Sequence, residues 1–412
     1  MRTMLRSLAL AALVAPVLAL ANGYDVPNTN PRDLAMAGSG VAAQGDAAAT
    51  YANAAALSRL GPGLQLSVSG SGLFLTTKWN DNTGALTPGS AKTKFKPVPP
   101  VTLYGSYGFK LAGYDAAVGL GMNVPAGGNV FWPEDWAGRG RIITVDRKIY
   151  GGYLMGSLAL SQWVRVGAGA VYYYGTEYLK QGIQPDGVSF GELSTKGGAL
   201  SGGASLEITP SDTVRIGADY KYLGTMKLKG DGHFQVPHPL QPQVQDQSVN
   251  HDLTYPSVLN LGVAVKAAPR VLVTLGYTYN WYEVYKSDLF IGEKGTVIPV
   301  VRNYGNGQTF RIGAEWDALP ALQLRAGLLR DLSGFKSDYY SATLPDGNTW
   351  AYSAGAGYQI MPNLSVNVAA FYANIDKVKV TGDIELPGTY KTDVWIGSIG
   401  LSWKADAAGG GK

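Results

Sequence analysis

From Leu64 onward, apolar and polar positions alternate with a period of two, the signature of strands with one apolar face. Leu322, Leu324, Ala326 and Leu328 alternate with Gln323, Arg325 and Gly327. Val214, Ile216, Ala218, Tyr220 and Tyr222 alternate with Arg215, Gly217, Asp219 and Lys221, and Leu364, Val366 and Val368 with Ser365 and Asn367. Such runs last about nine residues or more, enough for a tilted strand to cross a bilayer. The pattern predicts strands over 64–77, 98–110, 114–124, 142–160, 162–180, 196–209, 211–228, 252–268, 270–285, 305–317, 320–331, 348–360, 363–376 and 390–403. That makes fourteen, an even number as in single-chain outer-membrane barrels.

The connections carry the same message. Tight turns are predicted at 111–113, Ser161, Pro210, Pro269, 318–319 and 361–362, and they alternate with long connections such as 78–97, 229–251 and 286–304. Short periplasmic turns and long external loops put both chain ends on the periplasmic side. Trp79, Trp281 and Trp350 are then expected at external strand ends and Trp163, Trp316 and Trp403 at periplasmic ends, as two aromatic girdles. Hydrocarbon offers the backbone no hydrogen-bond partner, so the sheet must close on itself. The expected fold is all-β, a fourteen-stranded transmembrane antiparallel barrel over 63–404, with a tail over 405–412.

Composition narrows the class. The 412 residues include 55 Gly, 25 Tyr and no Cys, with a mean hydropathy of -0.01 and 16 % charged residues. The chain is too apolar for disorder, and past residue 21 it has no run long enough for a membrane helix. Its net charge of +4 falls to +2 without Arg2 and Arg6, too little for a nucleic-acid binder. Lacking Cys, it can hold neither disulfides nor Cys-ligated metal. Arg2 and Arg6, the apolar stretch 8–20 and Ala19-Leu20-Ala21 read as a signal peptide over 1–21.

Residues 22–62 do not alternate. Eleven of the twenty-three residues across 35–57 are Ala, which suits a plug whose backbone packs closely against the inner wall. Strand parity turns Arg165, Glu207, Arg215, Asp219, Lys221, Lys266, Arg311, Glu315 and Arg325 inward, and Arg32, Asp33, Asp46 and Arg59 are their available partners, since buried charges need pairing.

Several segments carry a family resemblance. Gly23-Tyr24, Arg32-Asp33-Leu34-Ala35-Met36-Ala37-Gly38-Ser39-Gly40, Asp46-Ala47 and Asn53-Ala54-Ala55-Ala56-Leu57 come first. Pro125-Ala126-Gly127 with Trp132-Pro133-Glu134-Asp135-Trp136, Tyr255-Pro256-Ser257, Phe310-Arg311-Ile312-Gly313 and Leu344-Pro345-Asp346 follow in order. The chain resembles the FadL/TodX family of outer-membrane transporters over nearly its whole mature length. That resemblance implies a fourteen-stranded barrel closed by an N-terminal hatch. It also implies passive uptake of long-chain fatty acids or aromatic hydrocarbons, with sideways release near a kink in the third strand. The family's hatch usually carries Asn-Pro-Ala where this chain has Asn53-Ala54-Ala55.

Asn53, Ala54, Ala55, Gly119, Gly121, Asn123 and Pro125 are the expected hatch and lateral-gate residues, Gly and Pro being ladder breakers. The apolar pocket is expected to draw on Leu73, Phe74, Leu75, Val171 and Tyr173, with Lys180 and Arg302 as candidate headgroup partners. The expected partners are hydrophobic small molecules, outer-membrane lipid and the barrel assembly machinery, with the chain a monomer and no nucleic acid or cofactor. No catalytic or metal site is expected. His233, His238 and His251, placed by the pattern in one external loop with Asp231 and Asp252, match no standard metal spacing. A general porin for small polar solutes, and a loop-based adhesin or outer-membrane hydrolase, are the rival readings.

Overall fold

Residues 25–26, 30–94, 96, 99–183, 187–237, 245–295, 297–381 and 386–405 are described by the structure, a computed structural model of the chain. The expected leader, most of the C-terminal tail and His238 lie outside the described residues.

Fourteen barrel strands follow one another: β1 (Gly63–Asn80), β2 (Val101–Leu111), β3 (Tyr114–Phe131), β4 (Thr144–Ala159), β5 (Val164–Gly182) and β6 (Phe190–Ser211). Next come β7 (Val214–Tyr222, resuming at Thr225–Gln235) and β8 (Gln247–Thr254, resuming at Val258–Ala268). β9 (Val271–Asn280, resuming at Ser287–Gly292) and β10 (Val297–Val301, resuming at Gly307–Leu319) lead to β11 (Leu322–Leu332), β12 (Thr349–Met361), β13 (Leu364–Ile375) and β14 (Gly388–Lys404). Each pairs antiparallel with its sequence neighbours, and β14 pairs with β1 from Gln65↔Lys404 to Asn80↔Thr389, which closes the barrel.

Alternation sets what each face meets. Leu324 is 40 % exposed while Arg325 beside it is buried, and Val368 stands outside while Asn367 is buried. The periplasmic turns are two residues long, except for the four residues 160–163 between β4 and β5. Ala112 and Gly113 both hold positive φ, 49° and 87°, the type I′ geometry whose twist matches a two-residue hairpin.

Strand boundaries depart from the pattern at several places. β6 runs on through Pro210 to Ser211, by way of a register shift after Ile208, so the turn falls at 212–213. The turns expected at 318–319 and 361–362 fall at 320–321 and 362–363. The expected loop 229–251 is mostly sheet, because β7 and β8 pair through Gln247↔Gly232 to Thr254↔Thr225. His233 and His251 therefore sit on strands, with His233 exposed and His251 buried. Val249, His251 and Leu253 alternate with Asn250 and Asp252, a period-two run that its polar content masks.

Of the tryptophans, Trp163, Trp316 and Trp350 face outward. Trp79 does not. Inward parity on β1 buries it completely, its Nε1 donates to the Pro387 carbonyl at 3.1 Å, and its ring meets that of Trp136 edge-on. It joins Trp132, Trp136, Tyr340 and Tyr390 in an apolar cluster built from strand ends and the loops beside them.

Residues 30–62 lie inside the barrel, bonded to strands on all sides. A short helix α1 (Pro31–Ala35) is capped by Asn30, whose side chain accepts from the Asp33 N–H. Helix α2 (Ala49–Ala52) and two 3₁₀ turns, Gly40–Ala42 and Ala54–Arg59, follow. Arg32 bonds Glu315 of β10 through two nitrogens, at 2.8 and 2.9 Å, and Arg325 of β11 meets the same carboxylate at 2.6 Å. Arg59 bonds Glu207 of β6 at 2.8 Å. Ser157, Ser205, Thr274 and Ser353 complete the ring of contacts from β4, β6, β9 and β12. An ion pair held this far from water adds rigidity where both partners are fixed by further hydrogen bonds.

The wall makes room for this segment with glycine. A Cβ on Gly327 would lie 2.4 Å from the Met36 carbonyl carbon, one on Gly167 2.6 Å from the Ala55 nitrogen and one on Gly217 2.8 Å from the Val41 oxygen. Gly119, Gly313 and Gly355 are crowded by Thr50, Ser39 and Ala35 in the same way. Glycine-rich strands and an alanine-rich insert are two halves of one close packing.

Candidate functional site

The third strand leaves the wall halfway along. From Tyr114 to Met122 it pairs with β2 on one side and β4 on the other. The β2 ladder ends at Leu103↔Met122, and the register with β4 slips between Asn123 and Ala126. Pro125 lies at that slip, where its missing N–H is tolerated. Beyond it, Asn123 to Phe131 are buried without alternation, so both faces of this half-strand are covered. Its exposed edge is taken by the N-terminal segment. Asp25 and Ala126 form an isolated antiparallel bridge, and the Val26 N–H donates to the Pro125 carbonyl at 2.9 Å.

The bend has a different seat from the one the glycines suggested. Gly119 and Gly121 lie in regular ladder below it. Gly119 accommodates Thr50 and Leu57, and Gly121 is covered by the Tyr104 ring. Asn123 and Pro125 do flank the slip, and Asn123 accepts a hydrogen bond from Tyr153 at 2.9 Å. Asn53 donates to the Val41 and Leu206 carbonyls, while Ala54 and Ala55 lie against Gly167 of β5.

Outside the wall beside this bend is an apolar groove of about 600 Å³. Leu103, Leu120, Met122, Leu154, Tyr172 and Leu200 line it, Gly152 opens its centre, and Tyr104 and Tyr153 form its floor. No reading of parity alone singles these residues out, because they look like ordinary lipid-facing positions. Their signal is the gap in bulk left by Gly121 and Gly152 next to a proline.

On the lumen side, a cavity of about 150 Å³ separates the N-terminal segment from the wall. Asp25, Val26, Tyr51, Pro125, Tyr173, Tyr255, Leu329 and Phe371 are among its lining. Burial raises the Asp25 carboxyl to about 6 against the opposing hydrogen bond from Tyr255. Nearer the external mouth, a larger cavity of about 610 Å³ is walled by Ile142, Val145, Leu179, Leu193, Phe290 and Leu344 together with Arg141, Arg147 and Arg302. Below it Arg147, Glu177, His251, Asp288 and Arg302 form one buried ionic network, in which Arg302 meets Asp288 at 2.9 Å and Thr343 at 2.8 Å.

Of the expected pocket residues, Tyr173 lines the central cavity and Val171 packs in the apolar cluster around it. Leu73 and Leu75 point inward against Ala35 and Phe371. Phe74 points outward and is 39 % exposed, since neighbours on a strand face opposite ways. Lys180 also misses the lumen. Even positions near the outer end of β5 face out, and its ammonium lies 3.2 Å from Glu134 and 3.7 Å from Glu192. Arg302 does line a cavity.

The sequence matches the family described as outer membrane protein transport protein (OMPP1/FadL/TodX) over residues 12–404. The chain belongs to this family. It is an outer-membrane β-barrel of transport proteins, and its solved structural neighbours share the fold. A Pseudomonas aeruginosa FadL homologue superposes with a TM-score of 0.79 at 18 % identity, over 93 % of this chain and 99 % of that one. The P. putida toluene transporter TodX gives 0.75 at 16 %, over 94 % and 100 %. The CymD monoaromatic hydrocarbon channel gives 0.68 at 14 %, over 94 % and 99 %. Outer membrane protein P1 of Haemophilus influenzae is 28 % identical over 140 residues, 32 % of this chain, and the match spans 30 % of that protein.

Proposed function

We propose that this barrel takes up hydrophobic compounds passively, long-chain fatty acids or aromatic hydrocarbons, and releases them sideways into the outer leaflet past the bend in β3. Residues 22–62 act as the hatch that closes the axial route, and 63–404 as the barrel. The observation that carries the reading is the apolar groove at the one place where the β2–β3 ladder stops short. A hydrophobic solute that crossed an aqueous pore would lose about 0.8 kcal/mol for each buried CH₂ it re-exposed. A route from the external cavity to the central one and out through the wall keeps it in apolar contact.

In this scheme the external cavity takes up solute between apolar side chains, and the arginines at its edge are already engaged with Glu177, Asp288 and Thr343. The solute then passes the tyrosines around the central cavity. The bridge between Asp25 and Ala126 is the last obstacle, held by few bonds and hence able to open locally. No catalytic group is needed at any step.

Gly152→Trp tests the exit. A side chain there meets only the Tyr172 carbonyl, 3.8 Å from the new Cβ, and projects into the groove. Uptake of labelled oleate or toluene by cells producing this variant should fall about tenfold, with the purified barrel still heat-stable. Uptake equal to that of the unaltered protein would rule out this exit. Faster passage of glucose than of either hydrophobe would favour the porin reading.

A further inference from the structure

Strands β4 to β8 extend beyond the aromatic girdle, and their outward faces carry a horizontal row of side chains. Lys148 pairs with Thr176, Thr176 with Lys196, Lys196 with Lys229, and Lys229 with Asn250. Lys227 lies one outward position below Lys229, opposite Gly198 and Asp252. Lys196, Lys227 and Lys229 are all exposed, and none has an ion pair among the described residues.

The direct opposition of Lys196 and Lys229 is the telling feature. Side chains facing each other across an antiparallel pair lie about 5 Å apart, and like charges there destabilise the sheet. Lys148 is neutralised by Asp146 at 3.0 Å, whereas the Lys196–Lys229 pair has no such carboxylate between its members. Asp231 and Asp252 flank the row, opposite Ser194 and Lys227. A shallow polar concavity of about 270 Å³ opens here, lined by Lys148, Thr176, Lys196 and Lys229 together with the carboxylates of Asp146 and Asp231 at its edges.

Height in the membrane identifies the anion. Tyr174 faces outward one level below Lys196, beside Gly198, and Tyr172 leans over Gly198 with its hydroxyl raised toward the lysines. Two residues of strand span about 7 Å, so the lysines stand directly above the interfacial tyrosines. That is the depth of lipid headgroups rather than of acyl chains.

We propose that this lysine row seats the phosphate groups of an outer-leaflet glycolipid against β5, β6 and β7. The acyl chains of such a lipid would then lie along Tyr172, Leu200 and Tyr220, all exposed on the same strands. The lipid relieves the opposed lysines and makes this sector of the wall a fixed lipid contact. Tyr172 and Leu200 also line the apolar groove beside the bend in β3, so the seated lipid borders that groove.

The test uses the full-length protein purified in mild detergent, with lipid A as the bisphosphorylated probe. Binding is read by native mass spectrometry for the unaltered protein and for Lys196→Gln/Lys227→Gln/Lys229→Gln. Each basic residue near an anionic surface contributes about fivefold, so the triple variant should bind roughly a hundredfold more weakly. Dephosphorylated lipid A should bind the unaltered protein as poorly as the variant binds the intact lipid. Millimolar inorganic phosphate should not displace the lipid, because it lacks the chains that lie on the wall. Lys110→Gln, at the periplasmic end of β2 and paired with Asp115 at 2.8 Å, should leave binding unchanged. Equal binding by the triple variant, equal binding of the dephosphorylated lipid, or displacement by phosphate would each overturn the proposal.

Discussion

Gly327 shows how much one missing methyl can decide. Its Cα faces the backbone of Met36 and Ala37 closely enough that any Cβ would collide with main chain, not with a flexible side-chain tip. Main chain cannot rotate out of the way, so Gly327→Val must push α1 off the wall. Overpacking of this kind costs about 1–3 kcal/mol. The expected outcome is a lower unfolding temperature together with leakage of ions, read in planar bilayers. A variant as stable and as tightly sealed as the original would mean that the N-terminal segment does not rest on β11. Arg32, Glu315 and Arg325 make the complementary point in charge, because one carboxylate bridges the segment and the barrel.

At the scale of elements, the proposed exit requires the upper half of β3 and the two residues that pair with it to part. Asp25 is half-buried in the structure, and desolvation raises its carboxyl to about 6 from an ordinary 3.8. The docked segment therefore binds a proton that the free segment releases between these values. Docking strengthens as pH falls below about 6 and weakens as pH rises through it, by roughly hundredfold in equilibrium for two units. A spin label at Val26 should be less mobile at pH 5 than at pH 8, and Asp25→Asn should abolish that dependence. Unchanged mobility in the unaltered protein would remove Asp25 from the latch.

How far the sequence carried this reading follows from the same elements. Strand number, order and facing were legible because lipid demands apolar side chains at every second position. The opposed ion pairs of Arg32 and Arg59 were legible from parity, since charges on inward positions need partners. The extended hairpin of β7 and β8 was not, because above the membrane neither face meets lipid and Lys227, Asp231 and His233 erase the contrast. The bend was located only within a few residues. Gly119 and Gly121 look like ladder breakers, yet their role is to admit Thr50, Leu57 and Tyr104, and only the three-dimensional neighbours tell a packing glycine from a bending one. Lys180 was named as a headgroup partner, yet the parity that turns Val171 and Tyr173 inward turns it outward, where it meets Glu134 and Glu192.

For the whole molecule, the proposed function divides the work between the barrel, whose wall would provide a cavity and a side opening, and the N-terminal segment, which would deny water the axial route. Removing 22–62 while keeping the leader should leave a heat-stable barrel whose single-channel conductance rises at least tenfold. Unchanged conductance would show that the lumen is sealed by other means. In the proposed scheme, selectivity for hydrophobic solute rests on a side exit that opens where Asp25 and Val26 part from β3.

The chain has no cysteine, so that parting can be controlled by a single engineered bond. Asp25 and Ala126 are partners in an antiparallel bridge, at a spacing of about 4.5–5.5 Å that a disulfide spans. Uptake of labelled oleate or toluene should be measured in Asp25→Cys/Ala126→Cys, oxidised and then reduced. Oxidation should cut uptake at least tenfold, and a reductant should restore it. Uptake indifferent to the state of that bond would contradict sideways release at the β3 bend.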